Sequence, residues 1–275
     1  MIADVQANLR MLYSFYTQKM RLAAMLVFQY RVGTFFWMIG LVIEPVIYLV
    51  VWTTVAREQG GAIGGFTLGD FVAYYWVWTI MRVMNIGMNP LVFEWRVKEG
   101  QWSPMLLRPI HPIHDDFAFL LGHKSLDLIL LVPILTGLWF AFQPDLNPTW
   151  WQIGLFVVAC LLGYFVRSIW QWALGLATFW FVRVRAIFDL YFAFELLLSG
   201  RIVPLDLLPD WAQTAANFLP YQWSFAFPIE VLIGRQSFNQ SVAGIGWQLV
   251  WIIGGWFFVM FLWRRGVRKY SAVGA

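Results

Sequence analysis

Long apolar runs separated by short polar connections dominate this sequence and limit what it can fold into. Of the 275 residues, 60% are hydrophobic and only 12% are charged, whereas a soluble globular domain carries roughly 25% charged residues. A run of about 20 apolar residues is long enough, as an α-helix, to cross a hydrocarbon core of roughly 30 Å. Because backbone groups in lipid must be bonded within the segment, the sequence predicts an all-α integral membrane protein.

Six of the apolar runs are predicted to span the membrane, and together they form a transmembrane domain over residues 33–263. The predicted spans cover approximately residues 33–55, 70–93, 116–142, 150–182, 186–200 and 242–263. The 18 Trp and 10 Tyr residues are typical of aromatic belts at two lipid–water interfaces.

The first 32 residues are too polar to span a membrane. Apolar side chains recur there at helical spacing, with Arg10, Lys19 and Arg21 between them. This pattern predicts an amphipathic helix that lies along the cytoplasmic membrane surface, with its basic side toward the lipid headgroups. The alternative is a frayed N-terminal tail.

Residues 200–238 are apolar but interrupted by Pro204, Pro209, Pro220 and Pro228. Irregular backbone at membrane depth has to be sheltered by protein or to line a wet cavity. We therefore expect a re-entrant helical segment between spans five and six, made of short helices that dip into the outer leaflet and return.

The distribution of basic residues predicts the orientation of the chain. Of the 19 Lys and Arg residues, roughly fourteen fall in or beside the predicted inner segments, including the basic tail at 264–275. About three fall outside, namely Arg57, Arg201 and Arg235. The chain is therefore predicted to pass six times through a bacterial cytoplasmic membrane with both termini in the cytoplasm. Because the basic residues mark helix ends, they do not predict a nucleic-acid partner.

Several ionisable residues fall near the middle of predicted spans, where an unpaired charge is costly. The five are Glu44, Arg82, Asp127, Arg167 and Glu195. Opposite charges at similar depth predict a Glu44–Arg82 pair and a pair of Arg167 with Glu195 or Asp127. Asp127 can also pair with Lys124, which lies three residues earlier on the same helix face. These groups either lock helices together or face a translocation path.

Residues 94–112, between spans two and three, form a strongly polar loop with apolar residues interspersed. Charged side chains such as Glu94 and Lys98 can pair with a soluble partner, and Trp102 offers an aromatic anchor, the residue type that contributes most to interface energy. The loop is predicted to receive movement from such a partner. The alternative is a plain hydrophilic connector with Trp102 at the headgroups.

Several short motifs follow one another along the chain: Ile63-Gly64-Gly65-Phe66-Thr67, Lys98-Glu99-Gly100, Leu106-Leu107-Arg108-Pro109, Leu198-Ser199-Gly200, Leu208-Pro209, Leu219-Pro220 and Pro228-Ile229-Glu230. Their order resembles that of the membrane subunits of type-2 ABC exporters. Each motif alone is weakly specific, but their order and spacing cover nearly the whole chain.

This resemblance implies a complex of two permease subunits, identical or paralogous, with two separate ATPase subunits. The chain has no G-x-x-x-x-G-K-[ST] loop, so ATP and Mg are expected in the partner and no cofactor is expected here. The loop after span two would dock on the ATPase through Glu94, Arg96, Lys98, Glu99, Gly100, Trp102, Leu106 and Arg108. Spans two and five would line the substrate path through Trp78, Arg82, Asn85, Met88, Phe188, Tyr191, Phe192 and Glu195.

The function predicted from these features is the permease of an ATP-driven exporter. It would move an amphipathic or lipid-like substrate out of the cytoplasm or inner leaflet by alternating access. An ATP-independent carrier with Glu44, Asp127 and Glu195 as proton sites, or a membrane-embedded enzyme, is the alternative. The two halves show no internal repeat, which such carriers commonly have. His111, His114 and His123 have no Cys or carboxylate set beside them in sequence, so no metal site is predicted.

Overall fold

The computed structural model describes residues 2–181 and 184–270, with side chains from residue 9 onward. It contains twelve helices and one two-stranded hairpin in this part of the chain. The helices are α1 Ile2–Gln29, α2 Arg31–Glu58, α3 Leu68–Met84, α4 Leu91–Lys98, α5 Trp102–Leu106, α6 Pro112–Phe142, α7 Trp150–Gly175, α8 Arg185–Leu198, α9 Asp210–Asn217, α10 Pro220–Ser224, α11 Ala226–Leu232 and α12 Phe238–Gly266. Strands β1 Ala62–Ile63 and β2 Phe66–Thr67 pair antiparallel between α2 and α3.

Four of the described helices are long and apolar enough to cross a membrane: α2, α6, α7 with the turn that continues it to Phe179, and α12. The predicted all-α membrane class is confirmed. Helix α3 has 17 residues and α8 has 14. At 1.5 Å per residue, α8 is only about 21 Å long, which is shorter than a hydrocarbon core of roughly 30 Å. The total number of six spans therefore stays a prediction.

The second predicted span is shorter than expected, because α3 ends at Met84 and not near Phe93. The carbonyls at its C-terminus are bound by cations from neighbouring helices. Lys124 of α6 donates to the carbonyl of Ile86, and Arg167 of α7 donates to that of Asn85. A helix end favours positive charge and needs partners for its last carbonyls, so these two side chains stabilise the break.

Helix α1 packs closely along the first half of α6. A Cβ placed on Gly122 of α6 would lie 2.7 Å from the Cα of Met20, so glycine is what allows this approach. Lys19 Nζ lies 2.6 Å from Asp115 Oδ1, and the Tyr16 hydroxyl lies 3.0 Å from His114 Nδ1. The predicted helix is present and docked on the protein, while its position on a membrane surface stays a prediction.

Helix α7 occupies the centre of the molecule and packs against α12, α10, α11, α3 and α4. Its buried residues include Cys160, Arg167 and Trp172. A helix that touches neighbours on several sides is apolar around most of its circumference, which explains why its hydrophobic run is nearly continuous.

Residues 199–237 connect α8 to α12, and we call them the interspan segment. They form α9, α10, α11 and a short 3-10 turn at Leu205–Leu207. Pro204 and Pro209 precede helical turns, and Pro220 is the first residue of α10, positions at which the missing N–H costs nothing. The short helices agree with the expectation from the prolines, while their depth in a membrane stays a prediction.

Candidate functional site

The polar loop between α3 and α6 forms a sharp elbow, residues 91–111, built from α4 and α5. Gly100 adopts φ +64°, a left-handed conformation that favours glycine. The Gln101 N–H donates to the Arg96 carbonyl at 2.8 Å and the Gly100 N–H to the Val97 carbonyl at 3.3 Å. This is a Schellman C-cap, so the turn between the two helices is fixed by backbone hydrogen bonds.

The elbow rests on a base of aromatic rings. Trp102 is 0% exposed, and its ring centroid lies 5.3 Å from Phe93, 5.5 Å from Phe179 and 5.4 Å from Trp263. The expectation that Trp102 is a surface anchor is therefore wrong for this conformation, as is a position at the headgroups. Trp102 instead fastens α5 to α12 and to the end of α7.

Arg96 is also directed into the protein. Its Nη1 donates to Asp116 Oδ2 at 2.9 Å, and the Trp172 indole donates to the same oxygen at 2.9 Å. Arg96 and Asp116 are both buried. The pair ties the elbow to α6 and α7, so Arg96 is not available to a soluble partner, contrary to expectation.

The opposite face of the elbow is exposed and carries both charge and apolar surface. Lys98, Glu99, Leu106 and Arg108 are exposed on this face, and Glu94 is half-buried; that they dock on an ATPase stays a prediction. Lys98 Nζ pairs with Glu94 Oε1 at 2.6 Å, and Arg108 Nη1 lies 3.4 Å from Asp115 Oδ1.

Sequence reasoning missed two residues of this face, Leu107 and Trp95, which are 87% and 53% exposed. Trp95 lies two positions from Phe93 in a helix, and residues two apart do not share a helix face. Since Phe93 is buried, that spacing could have indicated an outward Trp95. We call Trp95, Lys98, Glu99, Leu106, Leu107 and Arg108 the elbow ridge.

Two of the predicted ion pairs inside the transmembrane domain are confirmed. Arg82 Nε lies 3.1 Å from Glu44 Oε2, and Arg167 pairs with Glu195. Arg201, which was predicted to lie in an outer connection, also reaches Glu44, with Nη2 3.0 Å from Oε1. Glu44 is therefore shared by two arginines.

Asp127 does not pair as expected. Among the described residues it forms no ion pair with Arg167 or with Lys124. The ammonium group of Lys124 is turned instead toward the carbonyls of Val83 and Ile86 at the end of α3. The helix end competes successfully with the carboxylate because its free carbonyls form a fixed negative pole.

The first residues of the interspan segment are held by aromatic side chains. The Tyr74 hydroxyl donates to the Gly200 carbonyl at 2.7 Å, the Trp78 indole to that of Arg201 at 2.9 Å, and the Tyr75 hydroxyl to that of Ile202 at 2.8 Å. The Trp52 indole donates to Ile202 as well, at 2.9 Å. We call these four donors the aromatic clamp. Trp78, predicted to line a substrate path, is a buried member of it.

The other predicted path residues are mostly interior. Asn85 and Met88 are buried, as are Phe188 and Glu195 of α8, and Arg82 is partly exposed; Tyr191 and Phe192 are half-buried. Helices α3 and α8 are linked through Arg167, which bonds both the Asn85 carbonyl and Glu195. The structure therefore brings α3 and α8 together through a shared arginine.

His111, at the end of the elbow, is held by contacts within the protein. His111 Nδ1 accepts from the Ile113 N–H at 3.3 Å, and its ring packs 4.8 Å from that of Trp263. Burial, with a smaller contribution from His114, lowers the pKa of His111 to about 4, so its ring is neutral at pH 7. No group of three or more His, Cys, Asp or Glu side chains among the described residues is placed to hold a metal ion.

In a comparison with known families, a family model described as "ABC-2 family transporter protein" matches residues 42–274. These residues include the greater part of α2, the elbow, the interspan segment and the long helices α6, α7 and α12. No curated protein matches the chain.

Proposed function

The chain belongs to the ABC-2 transporter family, and from this premise we propose that it is the permease subunit of an ATP-driven exporter. The family is the membrane component of such transporters and carries no ATPase of its own. In the proposed complex, two ATPase subunits bind at the elbows of two permease subunits. Nucleotide-driven closure of the ATPases then changes the access of the substrate path from one side of the membrane to the other.

The observation that supports this proposal most directly is the construction of the elbow. The ridge is exposed and mixes charge with Leu107 and Trp95, the combination that interface cores and rims use. The base beneath it, formed by Trp102 and the Arg96–Asp116 pair, is buried. A partner that pushes on the ridge therefore moves α5, α7 and α12 together, since a packed interior transmits displacement.

A second permease subunit is proposed to pack against α8. Ile187, Leu190, Phe194 and Leu197 are exposed at helical spacing on one face of that helix, and Glu195 is turned inward to Arg167. In lipid an apolar face needs no partner. A helix of 14 residues is shorter than the hydrocarbon core, however, and a neighbouring subunit would shield the polar groups at its ends from lipid. We propose that the path runs between the two α8 helices and carries an amphipathic or lipid-like substrate.

A proton-coupled carrier is less well supported by the contacts of its candidate carboxylates. Glu44 is paired with Arg82 and Arg201, and Glu195 with Arg167. Ion pairs with arginines from other elements give both carboxylates a structural role, and this favours the exporter over the carrier.

The proposal is tested by co-purification and ATP turnover of the chain with the ATPase that it captures. Leu107→Asp places a charge on the most exposed residue of the ridge, and Leu107→Met keeps the apolar surface as a control. Loss of one interface anchor is expected to weaken capture roughly tenfold or more, equivalent to about 1.4 kcal/mol. A wild-type chain that captures no ATPase, or equal capture by both variants, would contradict the proposal.

A further inference from the structure

A polar cavity of about 330 Å³ lies between the interspan segment and the first turns of α12. The β1–β2 hairpin precedes α3 and the elbow follows it, so the two lie at opposite ends of that helix. The guanidinium of Arg235, in the same segment as the cavity, reaches this hairpin at Gly65. The cavity is therefore at the end of the molecule opposite the elbow. Neither the interior ion pairs nor the elbow contributes a residue to it. The proposed coupling role therefore leaves this cavity unexplained.

The lining of the cavity is negatively charged. Two carboxylates, Asp206 and Glu230, face it together with five amide side chains, and among the described residues that line it none is Lys, Arg or His. The charge of Arg235 favours the ionised form of Glu230, but its guanidinium lies 3.4 Å from the centre of the Phe66 ring and donates to the Gly65 carbonyl. The cation closest in sequence is thus held outside the cavity.

One wall of the cavity is aromatic. Trp223 and Trp247 both line it, with their rings 6.0 Å apart and 23° from parallel. Indole faces attract organic cations, and the two carboxylates beside them attract a cation but not a neutral ligand. The amides supply hydrogen-bond donors and acceptors for neighbouring polar atoms.

We propose that this cavity is a binding site for an organic ammonium group, with Asp206 and Glu230 as its counter-charges and Trp223 and Trp247 as its aromatic wall. The group belongs either to a cationic amphipathic substrate or to the headgroup of a membrane lipid. Only the idea that the ammonium group belongs to a transported substrate rests on the proposed function. The binding site itself does not depend on an ATPase.

Proton binding at Glu230 gives the site a pH dependence. Burial is the main cause that raises the pKa of Glu230 to about 7; Asp206 raises it further, whereas the hydrogen bond from Gln236 and the charge of Arg235 lower it. The Tyr74 hydroxyl of α3 is near enough to be affected by the charge of this carboxyl, but it donates its hydrogen bond to Gly200. A cation favours the ionised form, so it binds more tightly above pH 7 than below, by roughly tenfold between pH 6 and pH 8 if only the carboxylate form binds.

The test is ethidium binding to the purified chain, followed by fluorescence anisotropy at pH 6 and pH 8. Glu230→Gln is expected to weaken binding at pH 8 and to remove the pH dependence. Asp210→Asn removes the same charge from α9 without lining the cavity and is expected to bind like wild type. Equal ethidium affinity for wild type and Glu230→Gln would overturn the proposal.

A second variant keeps the test valid if Glu230→Gln fails to fold. Ala243 is exposed and lines the cavity from α12, so Ala243→Lys introduces a competing cation without disturbing the core. It is expected to reduce ethidium affinity at least tenfold and to leave binding of the anionic dye fluorescein no weaker. Unchanged ethidium binding in Ala243→Lys would also overturn the proposal.

The two sources of the ammonium group are separated by lipid composition. Weaker ethidium binding in nanodiscs of phosphatidylethanolamine than in nanodiscs of phosphatidylglycerol supports a lipid headgroup as occupant, provided that wild type and Asp210→Asn show the difference and Glu230→Gln does not. Equal ethidium affinity in both lipids supports a cationic substrate. Since no ATPase is present, failure of these experiments is distinct from failure of the exporter proposal.

Discussion

The elbow and the interspan segment are both short-helix connections interrupted by proline, yet they are anchored in opposite ways. The elbow is fixed by its own side chains, since Trp102 and Arg96 are directed inward. The interspan segment is held at its start through its backbone, because Tyr74, Tyr75 and Trp78 of α3 donate to the carbonyls of residues 200–202. Two connections of similar composition are therefore stabilised by two different kinds of contact.

This difference decides what each region can do. A segment anchored by its side chains has a rigid body and an exposed opposite face, which suits the transmission of movement. Where a segment is anchored through its carbonyls, its side chains remain available for other contacts: Arg201 pairs with Glu44, and Asp206, a few residues further on, lines the cavity. The comparison predicts that substitutions at the two regions change stability and function in different proportions.

The largest effect is expected from removal of the elbow's buried charge partner. Asp116→Asn leaves Arg96 buried without a counter-ion, which costs about 3–5 kcal/mol of the free energy of unfolding. Asp115→Asn, which breaks only the partly exposed pairs with Lys19 and Arg108, should cost about 1 kcal/mol or less. Denaturant titration in detergent measures both, and similar losses would mean that the elbow is not anchored by this pair.

The next effect concerns the packing of the interspan segment on α12. A Cβ on Gly244 would lie 2.1 Å from a ring carbon of Phe227, whereas a Cβ on Gly246 would meet nothing within 4 Å. Gly244→Ala should therefore destabilise the protein by about 1–3 kcal/mol through overpacking. Gly246→Ala, in the same helix, should be neutral or slightly stabilising. Thermal unfolding of the two variants decides whether α11 packs on α12 as closely as described.

A loss of similar size is expected when a single donor of the aromatic clamp is removed. Tyr74→Phe leaves the Gly200 carbonyl without its hydrogen bond in a buried site, at a cost of about 1–3 kcal/mol. Tyr13→Phe removes a hydroxyl from an exposed ring and should have almost no effect. If Tyr74→Phe also left stability unchanged, the backbone of the interspan segment would have to be held by other contacts.

Hydropathy and charge were sufficient to predict the helical membrane class and two of the interior ion pairs. The Glu44–Arg82 and Arg167–Glu195 pairs were predictable because opposite charges at equal depth in lipid have few other partners. Arg201 was not, since it lies in an irregular segment where depth cannot be counted by helical rise. Its place beside Glu44 follows from the aromatic clamp, which is a contact between residues more than 100 positions apart.

The elbow shows where local patterns stop being informative. Helix α5 has five residues, too few for a periodic pattern, so nothing in the sequence distinguishes an inward Trp102 from an outward one. The early end of α3 has a local signal in Gly87 and Pro90, but the cations that bind its carbonyls come from α6 and α7 and have none. Both features depend on tertiary neighbours.

The smallest stability effect is expected at the elbow ridge, where the functional effect should be large. Lys98→Glu breaks the i,i+4 pair with Glu94, which costs about 0.3–0.5 kcal/mol. Arg185→Glu breaks a similar exposed i,i+4 pair with Asp189 on α8 and should cost no more. If the ridge receives movement from an ATPase, Lys98→Glu lowers substrate-linked ATP turnover, whereas Arg185→Glu leaves it near the wild-type rate. Equal turnover in the two variants, at equal stability, would mean that exposure alone does not make the ridge a coupling surface.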